Sequence, residues 1–233
     1  QEGMDAAALR GRHVVITAGP TREAIDPVRY ISNHSSGKQG FALAAAAAQA
    51  GARVTLIAGP VTLSTPPGVT RIDVESACAM LAAARAAAAD ADAFIAVAAV
   101  ADYRPAEAAE RKLKKQAGRS GLDLHLIENP DIVATLAAER PALFCVAFAA
   151  ETHDLIAHAR GKLERKKVAL VVANDVSDTS IGFGSDDNRV TLIDATGERV
   201  LPKMPKEALS RMLVEAIAEG LDATARSEDA RLA

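Results

Sequence analysis

The chain has 233 residues, of which 49% are hydrophobic but only 3% aromatic and none is Trp. That length suits one large domain with an aliphatic core of Val, Ile, Leu and Ala. The 27 basic and 30 acidic residues leave a net charge of −3, which excludes a global basic field for nucleic acid and makes any anion site local.

Cys78 and Cys145 both stand in apolar runs without CxxC or Cys/His ligand spacing. The pattern argues against metal or disulfide use and predicts two buried thiols in a reducing cytoplasm. No stretch approaches about 20 apolar residues free of charge, so no membrane span is expected. The start, "QEGMDAAALRGR", lacks the apolar core of a signal peptide. Residues 1–12 read as a linker left from a longer protein.

In chain order, "HVVITAG" (13–19) is β-branched and ends on glycine, as a buried parallel strand does. A long polar loop with Pro20 and Pro27 leads into "SNHSSGKQG", and "GKQGFALAAAAAQAG" predicts a helix closed by Gly51. "RVTLIAG" (53–59) completes a strand–helix–strand unit. A short strand (69–74), a helix capped by Ser76 and an apolar central strand (93–101) follow. The charged "DYRPAEAAERKLKKQAGRSG" reads as a lid. "LDLHLI" (122–127) alternates as a half-exposed strand, and "NPDIVATLAAER" predicts a helix with Asn129 as cap and Pro130 in its first turn. "LFCVAFAAE", an amphipathic helix with a basic end, "VALVVAND", a hairpin turning at "ATG" and the helix "PKEALSRMLVEAIAEGL" complete the series. The alternation predicts an α/β three-layer sandwich, a Rossmann-like, mostly parallel sheet with a small antiparallel extension, in one domain over residues 13–222. Residues 223–233 read as a disordered tail.

Four groups of residues suit chemistry. The helix start after the first strand offers free N–H groups, with Ser35, Ser36, Gly37 and Lys38 to add hydroxyls and charge for a phosphate. It is neither a Walker A loop nor GxGxxG, and the same pattern also describes an ordinary helix cap. In the loop before it, Arg29 can grip a carboxylate or phosphate, and Asn33 can hold an acyl oxygen without adding charge. Asn33 also reads as a turn residue, and His34 as a loop or surface residue. Asp102 follows the central strand, at the edge where open α/β sheets bind ligands, and the small residues before it let a ligand approach the backbone. Asn174 and Asp175 end the last buried strand in the same way. The basic side chains are Lys112, Lys114 and Lys115 in the lid and Lys162 and Lys166, one turn apart on a helix. They read either as a clamp for polyphosphate or as solvated charge.

Taken together, "ITAGPTREAIDPVRYISNHSSGKQGFALA", "AAVADYRP", "KLKK", "ENPDIV", "FAAET" and "ANDVS…IGFGSDDN" resemble the phosphopantothenoylcysteine synthetase family, in order from about residue 13 to 190. The resemblance implies a ligase that activates the carboxylate of 4′-phosphopantothenate with CTP. An acyl-cytidylate and pyrophosphate form, and the amine of L-cysteine then displaces CMP. It assigns Asn33 and Arg29, with Ala99, to the acyl substrate and Lys112 to the nucleotide. Ala96, Val97, Ala98 and Asp102 would read the cytidine. Pro130, Asp131, Ile132 and Val133 would meet the triphosphate, and Phe148, Lys162 and Lys166 would complete the pocket. Ser35 to Lys38 would lie in the phosphate region.

The resemblance also implies Mg²⁺ bridging the phosphates, a homodimer pairing through "LDLHLI" and the hairpin near 189–194, a cytoplasmic location, and fusion to a flavin-dependent decarboxylase upstream, with the chain being the synthetase half. Gln39, where an apolar residue is common, and Ala147, where Gly is frequent, depart from the expected pattern. Two rivals are an NAD(P)-dependent oxidoreductase, which lacks its glycine fingerprint here and an acid after the second strand, and a nucleotide sensor without catalysis.

Overall fold

Hydrophobic period, not length, decides the first strand. β1 (His13–Ala18) is buried at every position, because a central parallel strand is covered on both faces. In the computed structural model, which describes residues 7–151, 153–176 and 185–232, the chain leaves β1 through the small antiparallel pair β2 (Glu23–Ala24) and β3 (Tyr30–Ile31). It then enters helix α1 (Lys38–Gln49) and returns along β4 (Arg53–Ala58) and β5 (Val69–Asp73). After α2 (Ala77–Ala87) and a 3₁₀ turn (Ala88–Asp90) comes β6 (Ala93–Ala96), then the antiparallel pair β7 (Tyr103–Pro105) and β8 (Leu126–Glu128). Helix α3 (Ile132–Glu139), β9 (Phe144–Glu151), α4 (Leu155–Lys166) and β10 (Leu170–Asp175) follow. The short β11 (Asp187–Asn188) pairs with β14 (Met204–Pro205), flanking the hairpin of β12 (Val190–Ile193) and β13 (Glu198–Val200), and α5 (Lys206–Leu232) ends the chain.

The main sheet has the order β13-β12-β10-β9-β6-β1-β4-β5. Its six strands from β10 to β5 are parallel, and β12 and β13 add the antiparallel edge. Alternate side chains of β1 feed two cores. Val14 and Ile16 pack with Leu43 of α1 and Leu213 of α5, whereas Val15 packs with Met80, Leu136 and Ala159 of the helices opposite. The molecule is therefore helix layer, sheet, helix layer, as the alternation predicts. With so few aromatics, Phe94 is the largest fully buried side chain, and truncating it to Ala costs about 3–5 kcal/mol.

Several local expectations are corrected. The central strand stops at Ala96 rather than at 101, and the backbone beyond it bends to line the cavity described below. Only 126–128 of the segment around "LDLHLI" is strand, because β7 offers three residues to pair with. Asp131, not Asn129, caps α3 by accepting the Ala134 N–H at 3.1 Å. The side chain of Asn129 instead donates to Glu23 at 2.9 Å and to the Ala101 carbonyl at 2.7 Å. Leu9, placed in the linker by sequence, is 1% exposed and sits in the α1/α5 core. α5 continues through Leu232 over the stretch read as a disordered tail, a polar segment rich in helix formers that extends an anchored helix. Cys145 is buried, and burial pushes its thiol up to about 12, but Cys78 is exposed on the outer face of α2.

Among the described residues no helix is long and apolar enough to cross a membrane. The start of the predicted hairpin, 181–184, lies outside them. Its turn is held by Asp194, whose carboxylate accepts N–H bonds from Thr196 at 2.7 Å and Gly197 at 3.1 Å.

Candidate functional site

From β1 the sheet grows outward through β4 and β5, then resumes on the other side with β6. At such a reversal, neighbouring connections leave the sheet in opposite directions and open a crevice at the carboxyl ends of the strands. A cavity of about 730 Å³ lies there, a size suited to a nucleotide or similar ligand. Its walls are Thr17 of β1 and Gly19 just beyond it, the start of α1, the segment 96–103 from the last residue of β6, the start of α3, the end of β9 and Asn174 of β10.

The first wall is the helix start. Gly37 has φ 78°, a left-handed backbone that lets the loop turn into α1 without a Cβ penalty. The Lys38 N–H donates to the Ser36 hydroxyl at 3.3 Å, and the remaining first-turn amides have no partner within the helix. Gly40 answers a need for space: a Cβ there would lie 2.4 Å from that of Ala18, so the glycine seats α1 directly on β1.

The second wall, residues 96–101, is held by backbone bonds. Val97 N–H reaches Thr17 O at 3.2 Å, Ala99 N–H reaches Gly19 O at 2.9 Å, and Ala101 N–H reaches the Thr21 hydroxyl at 2.9 Å. Asn33 spans the two walls, donating to Ala99 O at 2.6 Å and accepting from Ser35 N–H at 3.1 Å. An amide NH₂ has two donors, so one N–H remains over for a ligand.

Of the residues singled out by sequence, the cavity brings together Ser35, Ser36, Gly37, Lys38, Ala96, Val97, Ala98, Ala99, Asp102, Pro130, Asp131, Ile132, Val133, Phe148, Lys166 and Asn174. Asn174 Oδ1 is buried without a hydrogen-bond partner; the side chain of Asp175 is outside the described set. Arg29, Asn33, Lys112, Lys114, Lys115 and Lys162 are not on the cavity wall. Arg29 is 45% exposed and doubly bonded to Asp26, with its third contact on Leu113 O. Lys112 is exposed on the irregular segment beside Leu113, as are Lys114 and Lys115. Asn33 touches the wall only through its strut.

Lys162 does not converge with Lys166 on one site. It pairs with Glu151 at 2.7 Å, while Lys166 pairs with Asp131 at 2.9 Å. Burial pushes the Glu151 carboxyl up, but the contacts with Lys162 and His158 outweigh it and hold the group below its ordinary value.

Sequence reasoning did not place Thr17, Gln39, Tyr103, Glu128, Asn129, Asn188 or Lys206 at this cavity. Gln39 stands at the unusual position noted above, and its amide donates to the Ser210 hydroxyl at 2.9 Å and accepts from Asn188 at 3.2 Å. It ties α1 to α5 and the β11 segment, contacts more than 140 residues apart in sequence, so no local pattern announces them. Gln39 itself, a polar residue at a helix position facing the core, was the available signal. Among the described residues no group of three or more His, Cys, Asp or Glu side chains is arranged to hold a metal.

Residues 9–221 match the family described as DNA/pantothenate metabolism flavoprotein C-terminal domain. The chain is 55% identical over 214 residues to the coenzyme A biosynthesis bifunctional protein CoaBC of Vibrio parahaemolyticus, covering 91% of this chain and 53% of that protein. It is 51% identical over 218 residues to the protein of the same name from Escherichia coli, covering 92% and 53%. The chain thus spans about half the length of the curated relatives it matches. The crystal structure of the C-terminal domain of a CoaBC protein superposes with a TM-score of 0.80 at 37% identity, over 93% of this chain and 99% of that one. The match over nearly the whole fold, including every wall of the cavity, settles the family: this chain belongs to the DNA/pantothenate metabolism flavoprotein C-terminal domain family.

Proposed function

We propose that the chain is a phosphopantothenate–cysteine ligase of coenzyme A biosynthesis, using CTP to join 4′-phosphopantothenate and L-cysteine. The carrying observation is one cavity lined both by an anion-suited helix start (Ser35 to Lys38) and by a small-residue wall ending in an exposed carboxylate (Ala96 to Asp102). The first suits phosphates and the second a nucleoside. The substrate carboxylate attacks the α-phosphorus, the bond to pyrophosphate breaks, and an acyl-cytidylate results. The cysteine amine then attacks the acyl carbon, CMP leaves, and the amine loses its proton. Neither step needs a nucleophilic side chain; both need positioning and charge stabilisation.

The free N–H of Asn33 would hold the acyl oxygen, Arg29 the substrate acid and Lys112 the nucleotide, with Asp102 reading the cytidine. For Arg29 and Lys112 this requires the segment joining them to close on the cavity when substrates bind. Lys162 would exchange Glu151 for phosphate. When bound, Mg²⁺ would supply charge neutralisation on the phosphates, with Glu128 and Asp131 as the cavity-wall carboxylates available beside it.

A homodimer is proposed through the exposed apolar side chains Val28, Tyr30, Tyr103, Leu122, Leu124 and Leu126, which cluster on the two small antiparallel pairs and their loops. The relatives are named bifunctional, and their extra length supports a fused decarboxylase; a cytoplasmic location belongs to the same reading. The test supplies phosphopantothenate, cysteine, Mg²⁺ and either CTP or ATP and follows CMP or AMP and pyrophosphate. CMP with pyrophosphate is expected, AMP would reassign the nucleotide, and no product with either would overturn the reading.

A further inference from the structure

Asn129 lines the cavity beside Asp102, and the roles above leave it unused. Its side-chain amide donates to Glu23 Oε1 at 2.9 Å and to the Ala101 carbonyl at 2.7 Å, and its oxygen accepts from Arg104 at 3.1 Å. Its backbone N–H reaches the Asp102 carbonyl at 2.8 Å. Both side-chain N–H donors are spent within the protein, so the residue keeps none for a ligand. Turned over, the amide would set its oxygen against a carboxylate and a carbonyl. Two acceptors therefore fix the way it points.

Glu23 stands behind it, 2% exposed. Its carboxylate also accepts the N–H of Ala77, the first residue of α2, at 3.0 Å, and a helix start favours a negative charge. Thr21, two residues earlier and buried, holds the same wall directly: its hydroxyl accepts the Ala101 N–H at 2.9 Å. The segment 21–23 thus grips residue 101 at its N–H through Thr21 and at its carbonyl through Asn129. Asp102 comes next in the chain. Its own carboxylate is exposed on the cavity wall and makes no hydrogen bond among the described residues, so the backbone beside it sets its place.

We infer that Asn129, oriented by Glu23, is a positioning residue for the nucleoside end of the cavity, holding the Ala101–Asp102 backbone so that the Asp102 carboxylate meets the cytidine. The inference rests on the ligase reading and deepens it, since it adds the residues through which the cytidine contact is set. A carboxylate reads only donors, and hydrogen bonds weaken steeply with distance and angle. A small tilt of residues 101 and 102 therefore costs nucleoside affinity and leaves the phosphate end alone.

The experiment measures the dissociation constants of CMP and inorganic tripolyphosphate by calorimetry. The chains are the parent, Asn129→Ala, Asn129→Asp, Asp102→Asn and the double variant of Asn129→Ala with Asp102→Asn. Asn129→Ala is expected to weaken CMP by about fivefold to thirtyfold, the scale of one or two lost hydrogen bonds, with tripolyphosphate within about twofold. In the Asp102→Asn background the same change should weaken CMP by less than about twofold, because residues that act through one another are not additive. Asn129→Asp sets a carboxylate against Glu23. At pH 8 it should weaken CMP at least as much as Asn129→Ala. At pH 5.5 its ratio to the parent should recover by about threefold or more, as one carboxyl of the pair takes up a proton and donates to the other. Taking the ratio to the parent at each pH cancels the titration of CMP itself.

Unchanged CMP affinity in Asn129→Ala or in Asp102→Asn would overturn the positioning role. So would equal weakening of tripolyphosphate, or full additivity of the two changes. If Asn129→Ala does not fold, the near-isosteric Asn129→Asp decides: recovery toward acid supports the role, and a flat ratio refutes it. A parent chain that binds CMP yet forms no product in the ligase assay sinks the ligase reading alone, and one that does not bind CMP overturns both.

Discussion

The cavity wall and the segment carrying Arg29 and Lys112 are built on opposite plans. The wall is backbone and small side chains placed by regular elements, with 96–101 zipped to 17–21 by main-chain bonds and one bond to the Thr21 hydroxyl. The second region has no regular structure around its charged side chains, and a single carboxylate assembles it. Asp26, whose side chain is wholly buried, accepts from Val28 N–H at 2.9 Å, Arg29 N–H at 2.8 Å, Arg29 Nε at 3.0 Å and Leu113 N–H at 3.1 Å. Arg29 reaches the same oxygen again through its terminal nitrogen and also donates to Leu113 O at 2.8 Å. The wall is preset by packing, so it tolerates little change in volume; the strap is set by charge, so it tolerates little change in electrostatics. Under the proposed function, this division would leave binding to the wall and the acyl-transfer chemistry to side chains that must be brought to it.

The largest test of that division is Asn33→Asp. A carboxylate there faces the Ala99 carbonyl at 2.6 Å and has no N–H for the acyl oxygen. Product formation is expected to fall by about 10²–10³-fold, the range for losing one positioned donor, while CTP affinity falls less. Product at the parental rate would remove Asn33 from the reaction.

Next in size is Asp26→Asn. The amide cannot accept from Arg29 and Leu113 and leave its own NH₂ without a clash of donors. Turnover should fall about tenfold to a hundredfold, the scale of an ångström-level misplacement, with CMP affinity within about threefold. An equal loss of CMP affinity would merge the two regions into one unit.

The same carboxylate gives the strap an acid limit. The Arg29 guanidinium holds the Asp26 carboxyl well below the usual carboxylate range, more than offsetting the opposing effect of burial. A carboxylate whose folded pKa is depressed contributes stability that is complete above its unfolded value near pH 4 and declines as pH falls toward the folded value. Acid unfolding of the parent chain should therefore lose part of its steepness below about pH 4 in Asp26→Asn, measured by circular dichroism.

Much of the wall was legible because it obeys local rules. The β-branched run of β1, Gly37 at the helix start and an acid a few residues beyond a central strand each follow from propensity or from where α/β sheets bind ligands. The strap was legible as residue types but not as geometry. Asp26 and Leu113 are 87 positions apart, and nothing near either residue in sequence signals the other. Lys162 and Lys166 show the limit of helical spacing: two residues one turn apart share a face, but Glu151 and Asp131 draw them to different partners. Lys206 was hidden for a third reason. A lysine opening an amphipathic helix reads as a solvated end, and only the folding of β11 and β14 over it buries the side chain.

The smallest expected effect separates the two regions by glycine. Gly37 and Gly118 share nearly the same left-handed φ, 78° and 81°, yet a Cβ at Gly37 would lie 3.1 Å from Val61 Cγ1, and one at Gly118 meets nothing within 4 Å. The backbone penalty for Ala is about 1–2 kcal/mol at either site. At Gly37 that strain is confined between α1, Gly19 and Val61, in the cooperatively folded core. It should appear as a fall in melting temperature of about 2–4 °C per kcal/mol for a chain of this size. At Gly118 the charged segment can relax locally without unfolding the sheet, so the melting temperature should move by less than about 1 °C. Differential scanning calorimetry of Gly37→Ala and Gly118→Ala distinguishes them. Equal shifts would mean that the strap folds with the wall as one cooperative unit, and that charge adjusts its position but does not decide whether it is ordered.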